Sequence, residues 1–599
     1  MRSVGTRFRN SGIPSIFIML LFACCPGRLS AQGELTSRLP ANTIAYWEWN
    51  GSAAVLSDAT KNHLLQLAFD PQLAPLWGSL IQQVQSANQN TSHAAGTPQD
   101  KSGMQLGLPD VVSLLSNPMV AGAVELRAKG IVSSTGNSPS PTHVGVFLVY
   151  DATGKAELVQ KLKASNAKGE AWTKYDFGET QVEYRSTETK TGTNSTYRAQ
   201  AGNYYVVSDQ KTVIEDLIGR FARGGKAAGS LTERPEFQEM KKCMESGAAM
   251  EFYLRIPDVN SWIAAPGQPS AKSLAGLHLD KIHAAGGSLI FAGEATEFRG
   301  AVLGDTSAGS PFDFAGESRA GFVTEPLAKM GSAYGATRMN WAAGYQWLQG
   351  TLTGNLPAPQ ATSVAMAQAM AQAFLGMPIG DALKLFTGEM ASVTAYTEDG
   401  TSQQLFAMAI QKPESVLHIL RALGGKMIMA EDSAGTTTYL DIAYPYRDPV
   451  SGTQRRKFYY VAVTPEMMLA APRKEMLRQA TNMLASKGAA PSGVLANPEV
   501  QQLRMKLPEK LTAMSAADLA QIPWDKIAAN FAAQMEEAGK KQNGTTANSA
   551  ANAAPTPSEQ EAVKLLKSIP PNVVSRHLHV SVGGWWKDAN GIYIDSYIQ

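Results

Sequence analysis

The chain has 599 residues, which is too long for one ordinary hydrophobic core, so we expect roughly two to four domains. Hydrophobic residues make up 44% of the sequence and charged residues 17%, a globular composition that excludes an intrinsically disordered chain. The formal net charge is only +2 and no basic cluster stands out, so the sequence predicts no nucleic-acid partner.

The N-terminus predicts a signal peptide over residues 1–31. Three arginines precede the apolar run 16–25, which is too short to cross a bilayer as a permanent anchor. The small residues Ser30 and Ala31 favour cleavage before Gln32. No later segment contains an uninterrupted apolar run of spanning length. We therefore expect an exported protein, periplasmic or extracellular, without a transmembrane anchor in the mature chain.

The same leader contains two candidates for lipid attachment. The segment LFAC, which ends at Cys24, partly resembles a bacterial lipobox, although Phe22 is bulkier than the residue which that motif prefers. A lipid anchor at Cys24 or Cys25 is therefore the alternative to a soluble mature form.

Removal of the leader changes the charge and the cysteine content. The leader contains four arginines and no acid, so the mature chain has 49 basic residues (53 − 4) against 51 acidic residues. Two of the three cysteines leave with it, and Cys243 remains. Because a single cysteine cannot form an internal disulfide, we expect the fold to be held by packing.

Patterns typical of strands and of helices alternate along the first half of the mature chain. The segment TIAYWEW at residues 43–49 is rich in aromatic residues and alternates as a strand does. Apolar stripes then indicate helices at 64–69 and 76–84. Further strand patterns lie at 119–126, 143–150, 171–177, 180–186, 203–209, 281–293 and 296–304, and further helical patterns lie at 154–165, 211–221 and 235–244. Such runs of neighbouring strands with helices between them predict an α+β fold with a mainly antiparallel sheet and packed helices.

The sequence also repeats itself. TSRLPANTIAY at 36–46 returns as TEPLAKMGSAY at 324–334, which is 288 positions later (324 − 36). Four further pairs follow in the same order: LGLP with LGMP, YYVVSD with YYVAVT, PEFQEM with PEVQQL, and IHAAGG with LHVSVGG. These pairs match Tyr204 with Tyr459, Pro235 with Pro498, and His283 with His579.

Polar insertions explain the uneven spacing of the matched segments. They lie at 86–105 and 131–142 in the first copy and at 539–560 in the second, and they are rich in Ser, Thr, Asn, Gly and Pro, as solvated loops are. The sequence therefore predicts two tandem copies of one mixed domain. Copy one covers 36–304, a linker covers 305–323, and copy two covers 324–599.

The residues also resemble those of a known family. The LPANTIAY opening and the LGLP, YYVVSD and PEFQ segments resemble a bacterial family of exported proteins known only as a domain of unknown function. The resemblance covers most of the mature chain, and copy two departs from it with LAKMGSAY at its start. The resemblance implies export and this fold, and it supplies no catalytic residues.

Motifs for catalysis or metal binding are missing from the sequence. The mature chain contains no HExxH, CxxC or GxSxG, and the glycine-rich segment 219–229 has Ala227 where a phosphate-binding loop has Ser or Thr. His577 and His579 have the spacing of ligands on one strand face, but further ligands at metal spacing are missing, which favours a structural role. We therefore predict no cofactor, no metal site and no catalytic residue.

Two apolar patterns are candidates for a contact surface. Trp47 and Trp49 share one face of a predicted strand, where they would form a stacking platform for a sugar ring or a partner protein if exposed. Burial in the sheet core is the alternative. The stripe Met366, Met370, Phe374 at a spacing of four predicts the core face of a helix.

These observations favour an exported bacterial envelope protein that acts as a non-enzymatic binding or scaffolding module. Its partner is then an unknown envelope protein or a glycan. The alternative is an exported hydrolase without a recognisable motif. A cluster of Ser, His and acid, or paired carboxylates in a deep pocket, would favour the enzyme, whereas a broad apolar face without titratable groups would favour binding.

Overall fold

A computed structural model describes residues 35–52, 55, 60–73, 108–126, 143–165, 172–189, 192–222, 228–245, 247–257, 279–307, 309–355, 358–447, 454–486, 493–542, 570 and 572–599. The predicted signal peptide with Cys24 and Cys25 lies outside the described residues. So do the helix predicted at 76–84, the insertions at 86–105 and 131–142, and most of the insertion at 539–560.

The chain divides into two compact units. Of the described residues, the first unit contains those up to Phe69 and those within 108–257 and 279–304. The second unit contains residues 70–73 and those from Asp305 onward. Both units combine helices with an antiparallel sheet, so the predicted α+β class is confirmed.

The first unit begins with a 3₁₀ turn at Thr36–Arg38 and ends with a hairpin. Its helices and strands are β1 (Thr43–Trp49), α1 (His63–Ala68), α2 (Leu108–Leu115), β2 (Met119–Leu126), β3 (His143–Asp151), α3 (Ala156–Ser165), β4 (Thr173–Phe177), β5 (Thr180–Thr189), β6 (Gly192–Ala201), β7 (Tyr204–Ser208), α4 (Lys211–Ala222), α5 (Pro235–Cys243), β8 (Met250–Arg255), β9 (Ile282–Ala292) and β10 (Ala295–Gly304).

The sheet of the first unit has the order β4–β5–β6–β7–β3–β2–β1–β8–β9–β10, with every neighbouring pair antiparallel. β1 lies between β2 and β8, and its alternating residues point to opposite faces. Trp49 enters a hydrophobic cluster with Tyr150 and Leu158 on one face, whereas Tyr46 and Glu48 are buried on the other. The middle of the sheet is therefore enclosed on both sides.

Helices of the first unit begin where the sequence supplies a start signal. Asn62 precedes α1, and its side-chain oxygen accepts the backbone N–H of Leu65 at 3.1 Å. Pro235 is the first residue of α5. The N–H of the first helical residue has no acceptor within the helix, so proline, which has no N–H, loses no hydrogen bond there. α4 then buries an apolar row that includes Ile214 and Leu217 beside β6 and β7.

The second unit repeats this order of elements with additional helices. Its helices and strands are β11 (Arg319–Ala320), β12 (Ala333–Arg338), α6 (Trp341–Asn355), α7 (Ala358–Leu375), α8 (Ile379–Lys384), β13 (Phe386–Tyr396), β14 (Ser402–Ile410), α9 (Pro413–Gly424), β15 (Ile428–Ala434), β16 (Thr437–Arg447), β17 (Gln454–Val463), β18 (Met467–Ala471), α10 (Lys474–Ala485), α11 (Pro498–Arg504), β19 (Lys510–Leu511), β20 (Ala513–Asp518), α12 (Trp524–Gln542), α13 (Val573–His577), β21 (Val580–Lys587) and β22 (Gly591–Ile598).

The sheet of the second unit has the order β15–β16–β17–β18–β14–β13–β12–β20–β21–β22, again with antiparallel neighbours. This is the strand order of the first unit, with β12 in the place of β1 and β20 in the place of β8. Tyr46 of β1 lies opposite Tyr253, and Tyr334 of β12 lies opposite Ala516. The core packs Leu327 and other residues around Tyr334.

Three of the five matched pairs fall on elements with the same place in the two units, and the LGLP segment lies partly outside the described residues. Pro235 starts α5 and Pro498 starts α11, the helix before β8 in one unit and the helix that precedes β20 in the other. Tyr204, however, begins β7, whereas Tyr459 lies in β17, which has the place of β6. The prediction that these tyrosines share a strand position was wrong, because neighbouring strands of a hairpin have the same alternation and an aromatic pair does not specify which strand it is on.

The segment 305–323, predicted as a linker, packs as part of the second unit. Phe312 and Ala315 are buried, and Ala315 forms an isolated β-bridge with Met339. β11 pairs with β19 in a small second sheet. The predicted linker is therefore ordered structure, because its few apolar residues have a core to enter although they lack a regular period. No helix among the described residues is long and apolar enough to cross a membrane.

Candidate interaction surface

The two tryptophans of the predicted stacking platform lie within the first unit. Trp49 is buried, and its Nε1 donates to the carbonyl oxygen of Leu115 at 2.7 Å. Trp47 is half-buried and packs against the same hydrophobic cluster. This arrangement fits the burial alternative and leaves Trp49 no exposed ring face for stacking. A contact through Trp47 stays a prediction.

The two histidines considered as metal ligands lie beside carboxylates of the second unit. His577 Nε2 lies 2.8 Å from Asp70 Oδ2, and His579 Nδ1 lies 3.7 Å from Glu499 Oε2. The hydrogen bond with His577 holds the pKa of Asp70 below its ordinary value. Among the residues that the structure describes, no group of three or more His, Cys, Asp or Glu side chains is placed to hold a metal ion.

Two open pockets lie on the second unit. One has a volume of about 480 Å³ and is lined by Asn497, Pro498, Glu499, Asp518, Ala520, Gln521 and His579. Its acid Asp518 accepts hydrogen bonds from the side chains of Asn497 at 3.1 Å and Gln521 at 2.8 Å, so it is already satisfied. The other, of about 520 Å³, is mostly apolar and passes Arg504 and Met505. The lining residues of both pockets include no Ser, Thr or Cys that would serve as a nucleophile.

The stripe Met366, Met370, Phe374, hereafter the Met–Phe stripe, lies on the surface of α7. Its members have exposed fractions of 61%, 62% and 56%. The prediction that this stripe is the core face of a helix was therefore wrong. A spacing of four shows that residues share a helix face, but it does not show which face is turned inward.

α6 and α7, which together we call the uncharged hairpin, contain no charged residue. The sequence has no Asp, Glu, Lys or Arg between Arg338 and Asp381. Gln349 of α6 donates to Gln368 of α7 at 3.5 Å, and α7 packs against α8 and α9. The innermost described residues of α7 are only half-buried: Val364, Gln368, Ala371 and Leu375. Among the side chains of the hairpin that the structure describes, none is fully buried.

This hairpin has the properties of a contact surface. Monomeric soluble proteins rarely expose contiguous apolar patches of more than a few hundred Å² unless the patch binds something. Methionine thioethers are flexible and polarisable, so they adapt to the shape of an apolar partner. The hairpin contains no Asp, Glu, Lys, Arg, His or Cys, the residue types that most often act as acids, bases or nucleophiles.

A second unusual feature is a pair of buried acids in the first unit, Glu48 and Glu251. They lie opposite each other on β1 and β8, with exposed fractions of 1% and 4%. Glu48 Oε2 accepts from Thr36 Oγ1 at 2.6 Å, while Glu48 Oε1 is buried without a hydrogen-bond partner among the described residues. Glu251 Oε2 accepts from Lys241 Nζ at 2.6 Å and from the hydroxyl of Tyr46 at 3.5 Å.

The electrostatics of this pair follow from its burial. Burial raises the pKa of Glu48 to about 7, and the charge of Glu251 adds to the increase, although the Thr36 hydrogen bond and Lys241 oppose it. Burial and the same acids raise the pKa of Tyr46 well above its ordinary value. Two buried acids therefore lie close to one cation, Lys241.

The second unit contains a related cluster around Glu389. Glu389 Oε1 accepts from Thr324 Oγ1 at 3.0 Å, and Arg338 Nη2 donates to Glu389 Oε2 at 3.4 Å. Thr324 also shares a hydrogen bond of 2.9 Å with the hydroxyl of Tyr334. Burial raises the pKa of Glu389, and the Thr324 hydrogen bonds and Arg338 oppose the increase.

Sequence reasoning missed both acid clusters and misplaced the exposed stripe. One signal for Glu48 was available in the strand pattern. Glu48 lies on the same strand face as Tyr46, and Trp47 and Trp49 lie on the other face. Both faces of the strand are therefore apolar, which indicates that Glu48 is buried. For the hairpin, the available signal was the long interval without charge between Arg338 and Asp381.

No family model, no curated protein and no solved structure matches the chain. The resemblance to a family of exported proteins therefore stays a prediction.

Proposed function

We propose that this chain is an exported protein of the bacterial envelope, periplasmic or extracellular, that acts as a non-enzymatic binding or scaffolding module. The single observation that carries the binding role is the exposed Met–Phe stripe on a hairpin without charge. Its partner is a protein that presents an apolar and uncharged surface, because a charged partner would lose hydration at this surface without gaining an ion pair.

The proposal includes a tandem duplication of one α+β domain. Its support is the common order of strands and helices in the two units and the equivalent helices that begin at Pro235 and Pro498. A duplicated domain is a suitable scaffold, because one copy is free to keep the fold while the other carries the contact.

Export has its own test, which is the N-terminus of the mature protein. N-terminal sequencing of protein from the native envelope is expected to start at Gln32, because Ser30 and Ala31 are small enough for the signal-peptidase site. An acylated Cys24 or Cys25 at the mature N-terminus would replace the soluble form by a lipid-tethered one. A chain that still begins at Met1 would contradict export.

The binding role is tested by photo-crosslinking from the stripe in native cells. A full chain with Met370→p-benzoylphenylalanine is expected to give a discrete adduct, whereas Met505→p-benzoylphenylalanine, at a residue 80% exposed and outside the hairpin, is not. The adduct counts as support only if the identified partner, once purified, binds the native chain at least tenfold more tightly than Met370→Glu. The absence of any adduct from position 370 would contradict the proposal.

The hydrolase alternative has no comparable observation in its favour. The pocket beside His579 contains acids and amides and no hydroxyl or thiol nucleophile among its lining residues. The facing carboxylates Glu48 and Glu251 are buried in the sheet.

A further inference from the structure

We infer that the partner of the uncharged hairpin is a second copy of this chain, with α7 of one copy packed antiparallel against α7 of the other about a twofold axis. This inference rests on the proposed binding role of the same surface and names its occupant. The helix itself gives the first argument. Helices in proteins owe most of their stability to a packed apolar face, yet the Met–Phe stripe of α7 faces solvent in the single chain.

The absence of charge selects among the surfaces that would cover α7. A helix that lies on a lipid surface typically has Lys or Arg along its polar face, and the hairpin has neither between Arg338 and Asp381. A second copy, in contrast, is the partner for which charge matters most, because a twofold axis places each residue near its own equivalent. An uncharged helix meets its own copy without any repulsion between like charges.

The shape of α7 is complementary to itself. Ala365, Ala369 and Ala373 are exposed and form a low ridge directly beside the high ridge of the Met–Phe stripe. Both ridges repeat every four residues, which is the spacing of the ridges and grooves that pack between helices. In an antiparallel pair, each copy places its Met and Phe side chains over the alanines of the other.

The size of the surface sets the strength of the pairing. A helix of 18 residues is about 27 Å long, and two neighbouring helices are about 20 Å wide, so the hairpin presents roughly 500 Å². Stable interfaces bury about 800 Å² for each partner. The dimer is therefore a reversible one that forms in the micromolar range, and its population depends on protein concentration.

Sedimentation velocity of the full mature chain over a range of micromolar concentrations is the first measurement. The native protein is expected to move from monomer to dimer, and Met370→Glu is expected to weaken the association at least thirtyfold, because the twofold axis brings two buried carboxylates together. Met505→Glu is the matched control, since it places the same charge on an exposed methionine outside the hairpin and leaves the association unchanged. Circular dichroism must show the same fold for all three proteins.

Mixing oppositely charged variants makes the test specific for self-pairing. Met370→Glu and Met370→Lys are each expected to be monomeric alone and to form a heterodimer when mixed, because position 370 of one copy lies near position 370 of the other. In a Cys243→Ser background, Met370→Cys is expected to give a disulfide-linked dimer under mild oxidation, and Met505→Cys is not.

A native chain that stays monomeric at every concentration overturns the self-pairing, as does a mixture of the charged variants that fails to associate. If the crosslinker at position 370 then captures a different protein that passes the affinity criterion, the binding role stands and only its partner changes. If it captures nothing, both proposals fail.

Discussion

In the first unit Glu48 and Glu251 have one cation between them, Lys241, whereas in the second unit Glu389 has Arg338 opposite it on the neighbouring strand. Both clusters lie in the middle of sheets with the same strand order, and in both a threonine hydroxyl donates to the acid. The same fold therefore stabilises a buried acid in two ways. The first unit depends on a proton, and the second depends on a guanidinium.

The two clusters differ in which residues face each other along the strands. Two positions after Tyr46 the first unit has Glu48 facing Glu251, and two positions after Tyr334 the second unit has Ala336 facing an apolar methionine. Two positions further along β12 comes Arg338, which faces Glu389. At the same level of the two sheets, the first unit thus has a pair of acids and the second an apolar pair, and the ion pair of the second unit lies at the next level.

The largest effect is expected from removing the guanidinium of the second unit. Arg338→Met leaves Glu389 buried with only the Thr324 hydrogen bonds, and it removes the donor to the carbonyl oxygen of Leu511 at 2.8 Å. Breaking a buried ion pair in this way costs about 3–5 kcal/mol. Urea unfolding, monitored through hydrogen exchange of peptides from β12 and β13, measures the loss in the free energy of unfolding.

The matched control is the double variant Arg338→Met, Glu389→Gln. An amide in place of the carboxylate no longer buries a charge, so the double variant is expected to recover more than half of the lost stability. A single variant that loses less than about 1 kcal/mol would show that the ion pair is not what stabilises β12 against β13.

The next effect is a pH dependence of the first unit. The pKa of Glu48 is about 7 in the fold against an ordinary value of 4.5, so the folded state keeps a proton that the unfolded chain releases. The stability is then complete below pH 4.5 and is lost as the pH rises to about 7, by about 3 kcal/mol in all. Hydrogen exchange of peptides from β1 and β8 at several pH values measures this loss of stability.

Glu48→Gln is the control for this pH dependence. The amide oxygen still accepts from Thr36 but does not titrate, so the variant is expected to lose most of the slope between pH 4.5 and 7. The stability of the second unit is expected to fall with rising pH as well, because the pKa of Glu389 is also raised. Arg338 opposes that increase in pKa. Equal slopes in the two units would contradict the distinction between a proton and a guanidinium.

A smaller effect is expected from the two threonine hydroxyls. Thr36→Val and Thr324→Val keep the shape of the side chain and remove one donor to an acid, which costs about 1.5–3 kcal/mol when the acid is charged. Because Glu48 is protonated at pH 5, Thr36→Val is expected to cost less at pH 5 than at pH 8. A cost for Thr36→Val that is the same at both pH values would indicate that Glu48 does not change its charge in this interval.

The regular elements were predictable because their patterns are local. Strand alternation located β1, β2 and β3, and helix signals such as Pro235 and Pro498 located α5 and α11. The pairing of Tyr204 with Tyr459 failed because neighbouring strands have similar patterns. The order inside the predicted linker 305–323 was missed because its buried residues make contacts distant in sequence, such as the bridge from Ala315 to Met339.

The candidate site was less predictable than the fold, for a physical reason. Whether Met370 faces core or solvent depends on what packs beside α7, and the helix period does not contain that information. Likewise, Glu48 meets Glu251 only through the register of β1 against β8, which joins residues that are distant in the chain. Sites that depend on long-range pairing require the structure.

The smallest effect is expected from removing a cation at the same position of two equivalent helices. The two cations are Lys241, six residues after Pro235, and Arg504, six residues after Pro498. Arg504 Nη2 lies 2.7 Å from Glu325 in a pair that is partly exposed, so Arg504→Met is expected to cost about 0.5 kcal/mol. Lys241→Met leaves Glu251 without its cation, and we expect about twice that cost, because the Glu251 side chain is 6% exposed against 19% for Glu325. The pH at which the first unit loses stability is also expected to change in Lys241→Met and to stay the same in Arg504→Met. Unfolding of both variants at pH 5 and pH 8 measures the costs, and equal costs at both pH values would show that Lys241 is a surface ion pair like Arg504 rather than part of the buried acid cluster.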